Sequence, residues 1–204
     1  PLALQMGMET AAFSLSSVMV GWIGTVSLAT HQVMLTISQL GYMLYYGMAA
    51  AVAIRVSYYH GQKDYANCNT TARAGMQLIL LMAVVVSIPI FCFRNVIGGL
   101  FTDSQEVIGM VSLTIIPFII YQFGDGMQAN YANALRGLSN VKPLMLVAFL
   151  AYFVITLPLG YVLGIVFNGG LVGIWSAFPF GLTVAGVLYR LYFQKTLRKE
   201  ERLM

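Results

Sequence analysis

Long apolar stretches separated by short polar segments dominate the chain. Residues 10–54 and residues 143–189 contain no Asp, Glu, Lys or Arg. Each stretch can hold two membrane-spanning helices, because one span needs about 20 apolar residues. Turn-forming residues divide both stretches, with Gly21-Trp-Ile-Gly24 and the residues up to Thr30 in the first and Asn168-Gly-Gly170 in the second. The pattern therefore predicts two helices in each stretch.

Two further apolar segments lie between these stretches and complete the predicted fold. The predicted fold class is an all-α membrane protein, a single bundle of six transmembrane helices over residues 1–204. The predicted spans are about 1–20, 31–57, 72–93, 105–135, 143–167 and 171–192, followed by a charged tail at 194–204. In this scheme His31 begins the second span at the outer interface, and an interfacial histidine is favoured over a ligand or a proton relay.

The composition excludes a soluble domain. Hydrophobic residues make up 59% of the chain and charged residues 9%, whereas soluble domains carry about 25% charged residues. The net charge of +4 is weak evidence for nucleic acid, and we predict no such partner, because the positions of the basic residues explain the charge. The composition predicts membrane lipid as a partner.

The basic residues predict an orientation. They flank the second and fourth loops and fill the tail, which all fall on one side of a six-span chain, whereas Arg94 falls on the other. Because cytoplasmic loops carry an excess of Lys and Arg, we expect loops 58–71 and 136–142 and the C-terminal tail to be cytoplasmic. The predicted location is a bacterial inner membrane.

Two acids inside apolar segments are the candidate functional residues. Glu9 lies in the first predicted span and Asp125 in the fourth. A carboxylate within a membrane is expensive and is by default a functional candidate. Counting the helical rise of 1.5 Å per residue from the cytoplasmic ends places both acids near the middle of the hydrocarbon layer. We therefore expect them to share one site, although the alternatives of an interfacial Glu9 and a purely structural Asp125 stay open.

The fourth span carries a polar stripe around Asp125. Thr114, Pro117, Tyr121, Asp125 and Gln128 are spaced so that they share one helical face. Oxygen-bearing side chains beside a proline suit a hard cation such as Na⁺, with Glu9 and Asp125 as its ligands. Alternatively, two nearby carboxylates can share a proton. The residues leave Na⁺ and H⁺ open, and no other cofactor is expected.

Further residues are predicted to support this site. Gln5 lies one helical turn from Glu9, and Asn130 follows the polar stripe of the fourth span. Together with Pro117 and Gln128, they are the predicted support for the site or cavity. No phosphate-binding loop, metal cluster or nucleophile–base pair is recognisable, so we do not expect an enzyme.

Two motifs resemble those of the multidrug and toxic compound extrusion (MATE) transporters. Arg55-Val-Ser-Tyr-Tyr-His-Gly-Gln-Lys-Asp64 is similar to the Arg-Val-Gly-Asn-x-x-Gly-x-Gly-(Asp/Asn) pattern of that family, especially its NorM-like branch. Asn133-Ala-Leu-Arg-Gly-Leu-Ser-Asn140 resembles its (Val/Ala)-Leu-Arg-Gly-x-Gly turn. Glu9 and the Tyr-x-x-x-Asp of Tyr121 and Asp125 match as well. Ser57, Tyr58 and Lys63 depart from the pattern, in the loop rather than at the acids.

The resemblance implies a twelve-helix transporter of which this chain is the C-terminal six-helix half, so the N-terminal half would be a partner. It also implies exchange of Na⁺ or H⁺ for organic cations and other drugs, with Glu9, Tyr121 and Asp125 in the cation site. The first expectation is therefore a secondary multidrug efflux antiporter. One alternative is a flippase for lipid-linked saccharides, which basic residues in the cavity would favour. Another alternative is a non-transporting membrane scaffold, in which Glu9 and Asp125 would face different directions.

Overall fold

A computed structural model describes residues 2–203, so the first residue of the predicted first span and the last residue of the predicted tail lie outside it. Over this range the chain forms six long helices. Their bounds are α1 Leu2–Ile23, α2 Thr25–Gly61, α3 Tyr65–Cys92, α4 Gln105–Gly137, α5 Lys142–Val166 and α6 Gly170–Glu201. A short 3₁₀ helix, Ile97–Leu100, lies between α3 and α4, and α5 contains two π-helical segments, Phe149–Thr156 and Val162–Val166. The predicted all-α six-helix bundle is confirmed.

Helix α4 lies at the centre of the bundle. It packs against α2, α3 and α6, while α1 packs against α2, α5 and α6. The approach of α6 to α4 is close enough to require a glycine: a Cβ on Gly186 would lie 2.7 Å from Cγ of Met127 and 3.1 Å from the backbone nitrogen of Gln128. This contact packs α6 against α4 at the level of the polar residues of α4.

The outer surface of the bundle is apolar. Large hydrophobic side chains such as Leu40, Ile54, Leu81 and Leu113 are exposed on it, as expected for a surface that faces lipid. Helices α2 to α6 are long and apolar enough to cross a membrane. Helix α1 has the length, with 22 residues, but is not among these five because polar residues, including Glu9, lower its hydropathy. The protein is an integral membrane protein.

Several helices extend beyond the predicted spans. Only Gly24 interrupts α1 and α2, with a φ of 151° that suits glycine, so α2 begins at Thr25 and His31 lies inside it rather than at its start. The predicted loops 58–71 and 136–142 shrink to residues 62–64 and 138–141. The predicted tail is helical to Glu201, because Lys, Arg, Glu and Leu favour helix and α6 needs no end at the apolar boundary.

Contacts between side chains group the second loop, the fourth loop and the C-terminal end of α6 at one end of the bundle. Nε2 of His60 lies 2.8 Å from Oε2 of Glu200. Nδ2 of Asn140 donates to Oγ1 of Thr196 at 2.9 Å. This grouping is the one that the basic residues predicted.

Candidate functional site

Glu9 is held by amide groups from two helices. Nε2 of Gln5, one turn earlier on α1, donates to Oε1 of Glu9 at 3.2 Å. Nε2 of Gln128 on α4 donates to the same oxygen at 2.9 Å. Hydrogen bonds to a charged group are stronger than those between neutral groups and partly offset the cost of placing a carboxylate in the bundle. The contact with Gln128 also joins α1 to the polar stripe of α4.

Glu9 and Asp125 line one cavity of about 380 Å³. Helices α1, α2, α4 and α5 contribute its walls. The lining residues are Met6, Glu9, Thr10, Phe13, Leu35, Ser38, Gln39, Tyr42, Tyr121, Asp125, Gln128 and Tyr152. The two acids that the sequence predicted to share a site therefore face the same space, and no Lys or Arg is among the described residues that line it.

The helical period of α4 brings Tyr121, Asp125 and Gln128 to this cavity. They are separated by four and three residues, which places them on one face, and each is only 5% exposed. Helices α2, α3 and α6 pack against α4, and the face that carries the acid is the one that lines the cavity.

Three of the predicted support residues lie behind the cavity wall. Gln5 is 1% exposed and reaches the site only through Glu9. Pro117 is buried in α4 without lining the cavity. Asn130 points to α3, where its Nδ2 donates to the carbonyl oxygen of Ala72 at 3.0 Å. Asn130 therefore joins helices, because it lies on a different face of α4 from Asp125.

Arg136 belongs to the network and was missed as a site residue. Its Nη2 donates to Oε1 of Gln5 at 3.2 Å, and its Nη1 donates to Oδ1 of Asn133 at 3.3 Å. The sequence placed Arg136 only at the cytoplasmic surface. It lies eleven residues after Asp125, close to three full helical turns, which was the available signal that it shares the polar face. The structure thus forms a chain from Arg136 through Gln5 to Glu9 and Gln128.

An aromatic cluster packs behind Tyr121. The ring centroid of Tyr121 lies 5.8 Å from that of Phe118, 5.6 Å from that of Trp175 and 6.1 Å from that of Phe178. Trp175 also donates through Nε1 to Nδ1 of His31 at 3.1 Å. His31 is completely buried, so the prediction of an interfacial histidine is wrong.

The site contains two carboxylates rather than a larger metal cluster. Across residues 2–203, no group of three or more His, Cys, Asp or Glu side chains is placed to hold a metal ion. The oxygen groups at the cavity include the carboxylates of Glu9 and Asp125, and the hydroxyl and amide groups of the other polar lining residues, namely Thr10, Ser38, Gln39, Tyr42, Tyr121, Gln128 and Tyr152. Such a set can bind a monovalent hard cation or exchange a proton.

A family model for the MatE family matches residues 1–162. The chain belongs to the MATE family of transporters. Its fold agrees: the structure of the eukaryotic MATE transporter AtDTX14 superposes with a TM-score of 0.87 at 22% identity, covering 99% of this chain and 47% of that one.

Two prokaryotic structures give the same result for this MATE chain. The Vibrio cholerae MATE transporter VcmN, in its bent form, matches with a TM-score of 0.88 at 18% identity, over 97% of this chain and 44% of that one. A MOP-superfamily transporter from Pyrococcus furiosus, described as having a binding pocket of reversed polarity, matches with a TM-score of 0.83 at 16% identity, over 97% and 44%. The chain therefore spans less than half the length of these transporters.

Proposed function

We propose that this chain is the C-terminal six-helix half of a secondary active antiporter, which uses a gradient of Na⁺ or H⁺ to export organic cations and other drugs. The observation that carries the proposal is the placement of Glu9 and Asp125 on one cavity inside a membrane bundle. Buried acids that face a shared polar space mark ion or proton pathways in membrane proteins. Membership of a transporter family makes a pathway the natural use of such a space.

The coupling ion would bind between the two acids. Both amide donors of Glu9 meet its Oε1, so among residues 2–203 the second carboxylate oxygen is left to face a ligand. Asp125 and Tyr121 supply further oxygens from α4. A Na⁺ ion would be held by these oxygens, and with H⁺ as coupling ion the two carboxylates would exchange a proton instead.

The composition of the cavity favours cationic substrates. Besides its two acids, it presents the rings of Phe13, Tyr42 and Tyr152, and aromatic faces attract organic cations. A volume of about 380 Å³ is at the lower end of the roughly 300–1,000 Å³ typical of drug-sized ligands. The N-terminal half of the transporter would complete the drug-binding space.

Competition between ion and drug would drive export. If Glu9 and Asp125 bind the ion in one conformation and the drug in another, each ligand shifts the population toward its own state. An inward ion gradient then reloads the site and displaces the drug outward. The coupling of the two ligands is reciprocal, so drug binding must weaken ion binding by the same factor.

The alternatives fit the cavity less well. The lipid-linked substrate of a saccharide flippase contains anionic phosphate groups, which require basic residues in the cavity. The described lining of this cavity is acidic instead. The Pyrococcus furiosus relative, with its reversed pocket polarity, indicates that pocket charge varies on this fold. A scaffold protein has no reason to turn Glu9 and Asp125 toward one space.

The proposed location is a bacterial inner membrane. The end that carries His60, Glu200 and the fourth loop would face the cytoplasm, because the basic residues of the chain concentrate there.

Efflux from vesicles tests the function. The full-length protein is reconstituted, loaded with a fluorescent organic cation, and exposed separately to a Na⁺ gradient and to an H⁺ gradient. We expect one of the two gradients to drive transport of the cation, and the active one identifies the coupling ion. Transport that neither gradient changes would contradict the antiporter assignment.

A further inference from the structure

A buried histidine outside the cavity is bonded on both of its ring nitrogens. His31 lies where α1, α2 and α6 meet and is completely buried. Its Nδ1 accepts from Nε1 of Trp175 at 3.1 Å, and its Nε2 lies 3.0 Å from Oγ of Ser17. A buried polar ring with two partners on two other helices has one orientation, and it imposes one on its partners.

The chemistry of the partners determines which group donates and which accepts in each of these hydrogen bonds. An indole nitrogen can only donate, so Nδ1 of His31 carries no hydrogen and the ring hydrogen is on Nε2. His31 therefore donates to Oγ of Ser17, and Ser17 donates onward to the backbone oxygen of Phe13 at 3.1 Å. A neutral imidazole with its hydrogen on Nε2 satisfies all three bonds at once.

Trp175 transmits this orientation to the cavity wall. Its ring meets that of Tyr121 edge to face, with centroids 5.6 Å apart and planes at 79°. Its other contacts, at 6.0 Å to Phe118 and 5.3 Å to Phe178, close around the same tyrosine. Tyr121 in turn lines the cavity one helical turn before Asp125.

Packing alone gives no reason for a histidine at this position. A leucine would fill much of the same space without the cost of burying two polar nitrogens. What leucine cannot do is accept the hydrogen of Trp175, and without that bond the large indole is free to tilt against Tyr121. His31 therefore contributes the hydrogen bond that fixes the orientation of the Trp175 ring.

We propose that His31 is a positioning residue, which holds Trp175 and, through it, the Tyr121 hydroxyl at the ion and substrate cavity. This inference rests on the proposed function for its effect on transport. Its geometric part, the restraint on Trp175, stands independently of that function.

Four variants of the full-length protein test the role of the bond. His31→Gln keeps an acceptor toward Trp175 and a donor toward Ser17, whereas His31→Leu removes both. Trp175→Phe removes the donor from the other side. His60→Gln is the matched control, because His60 is the other histidine of the chain and lies at the far end of α2, paired with Glu200.

Transport kinetics are the first measurement. We expect His31→Leu and Trp175→Phe each to raise the half-saturating concentration of the coupling ion about tenfold, the size of one lost buried hydrogen bond, with a smaller change in maximal rate. His31→Gln should restore most of the affinity, and His60→Gln should resemble the wild type. The double variant His31→Leu/Trp175→Phe should lose no more than either single variant, because both remove the same bond.

Fluorescence of Trp175 separates this proposal from the transport function. In a version of the full-length protein whose other tryptophans are replaced by Phe, His31→Leu should shift the emission to shorter wavelength, since the indole loses its polar partner. His31→Gln should leave the emission unchanged. If transport fails in the wild type but these shifts appear, the proposed function is wrong and the restraint on Trp175 stands.

Two results would overturn the positioning role. One is unchanged Trp175 emission and unchanged ion affinity in His31→Leu. The other is a His31→Gln variant that folds as stably as the wild type yet is as impaired as His31→Leu, which would show that the hydrogen bonds are irrelevant.

Discussion

Acids in two regions of this protein are stabilised in different ways. At the charged end of the bundle, Glu200 pairs with His60 at 2.8 Å, and both side chains are about 30% exposed. Inside the bundle, Glu9 meets the amides of Gln5 and Gln128, and Asp125 faces the cavity. Water and an ionisable partner stabilise Glu200, whereas Glu9 and Asp125, the interior pair, lack a directly bonded positive charge among the described residues. Under the proposed function, this difference would leave the interior pair to receive a cation that these residues do not themselves supply.

The largest effect should come from Asp125. Replacing Asp125 by Asn keeps its shape and removes its charge, so we expect ion-driven efflux to fall by about 100-fold, near the upper end of typical coupling between two ligands. Vesicle efflux under the active gradient measures this. The variant should reach the membrane in normal amounts, and efflux at the wild-type rate would remove Asp125 from the coupling site.

Glu9→Gln should have the next largest effect. The amide keeps an oxygen that can accept from Gln5 and Gln128, so the network between α1 and α4 survives while the charge is lost. We expect efflux to fall at least about tenfold, with ion affinity lowered more than drug affinity. Equal loss of both affinities would indicate that Glu9 binds the drug rather than the ion.

Gln128→Leu tests the support of the interior acid. Removing one of the two hydrogen bonds to Glu9 should destabilise the observed position of its carboxylate by about 1–3 kcal/mol. The half-saturating ion concentration should therefore shift about tenfold while the maximal rate changes little. Asn130→Leu is the control on the same helix, because Asn130 contacts α3 instead of the cavity; it should lower stability without altering ion affinity.

The smallest effect belongs to the exposed pair. Glu200→Gln removes the carboxylate that lies 2.8 Å from Nε2 of His60, and surface pairs of this kind contribute only about 0–1 kcal/mol. We expect wild-type efflux and a melting temperature within about 2 °C of the wild type. A loss of efflux comparable to that of Asp125→Asn would abolish the distinction between the two kinds of acid.

Much of the fold and the central acids of the site could be predicted from the sequence. Uncharged stretches of membrane length gave six helices, and the four- and three-residue spacing of Tyr121, Asp125 and Gln128 gave their common face. These features are local, since they depend on hydropathy and on the helical period alone. The assignment of Glu9 as the partner of Asp125 came from counting depth, which needs only the helical rise.

Helix junctions and the identity of the supporting residues needed tertiary structure. Gly24 alone separates α1 from α2, which moves His31 from a predicted interface into the core. Asn130 lies on the face of α4 that meets α3, so it joins these two helices. Gln128 lies on the face that meets the cavity, so it binds Glu9.

By itself, the sequence determined that this protein lies in a membrane as helices and where along them its costly charges fall, because the hydrophobic effect and the helical period act on neighbouring residues. Only the tertiary structure decided which side chains those charges meet. The packing of α6 behind α4, the reach of Arg136 to Gln5 and the bond from Trp175 to His31 join residues that are distant in sequence. No local pattern specifies such contacts, because they follow from how whole helices pack.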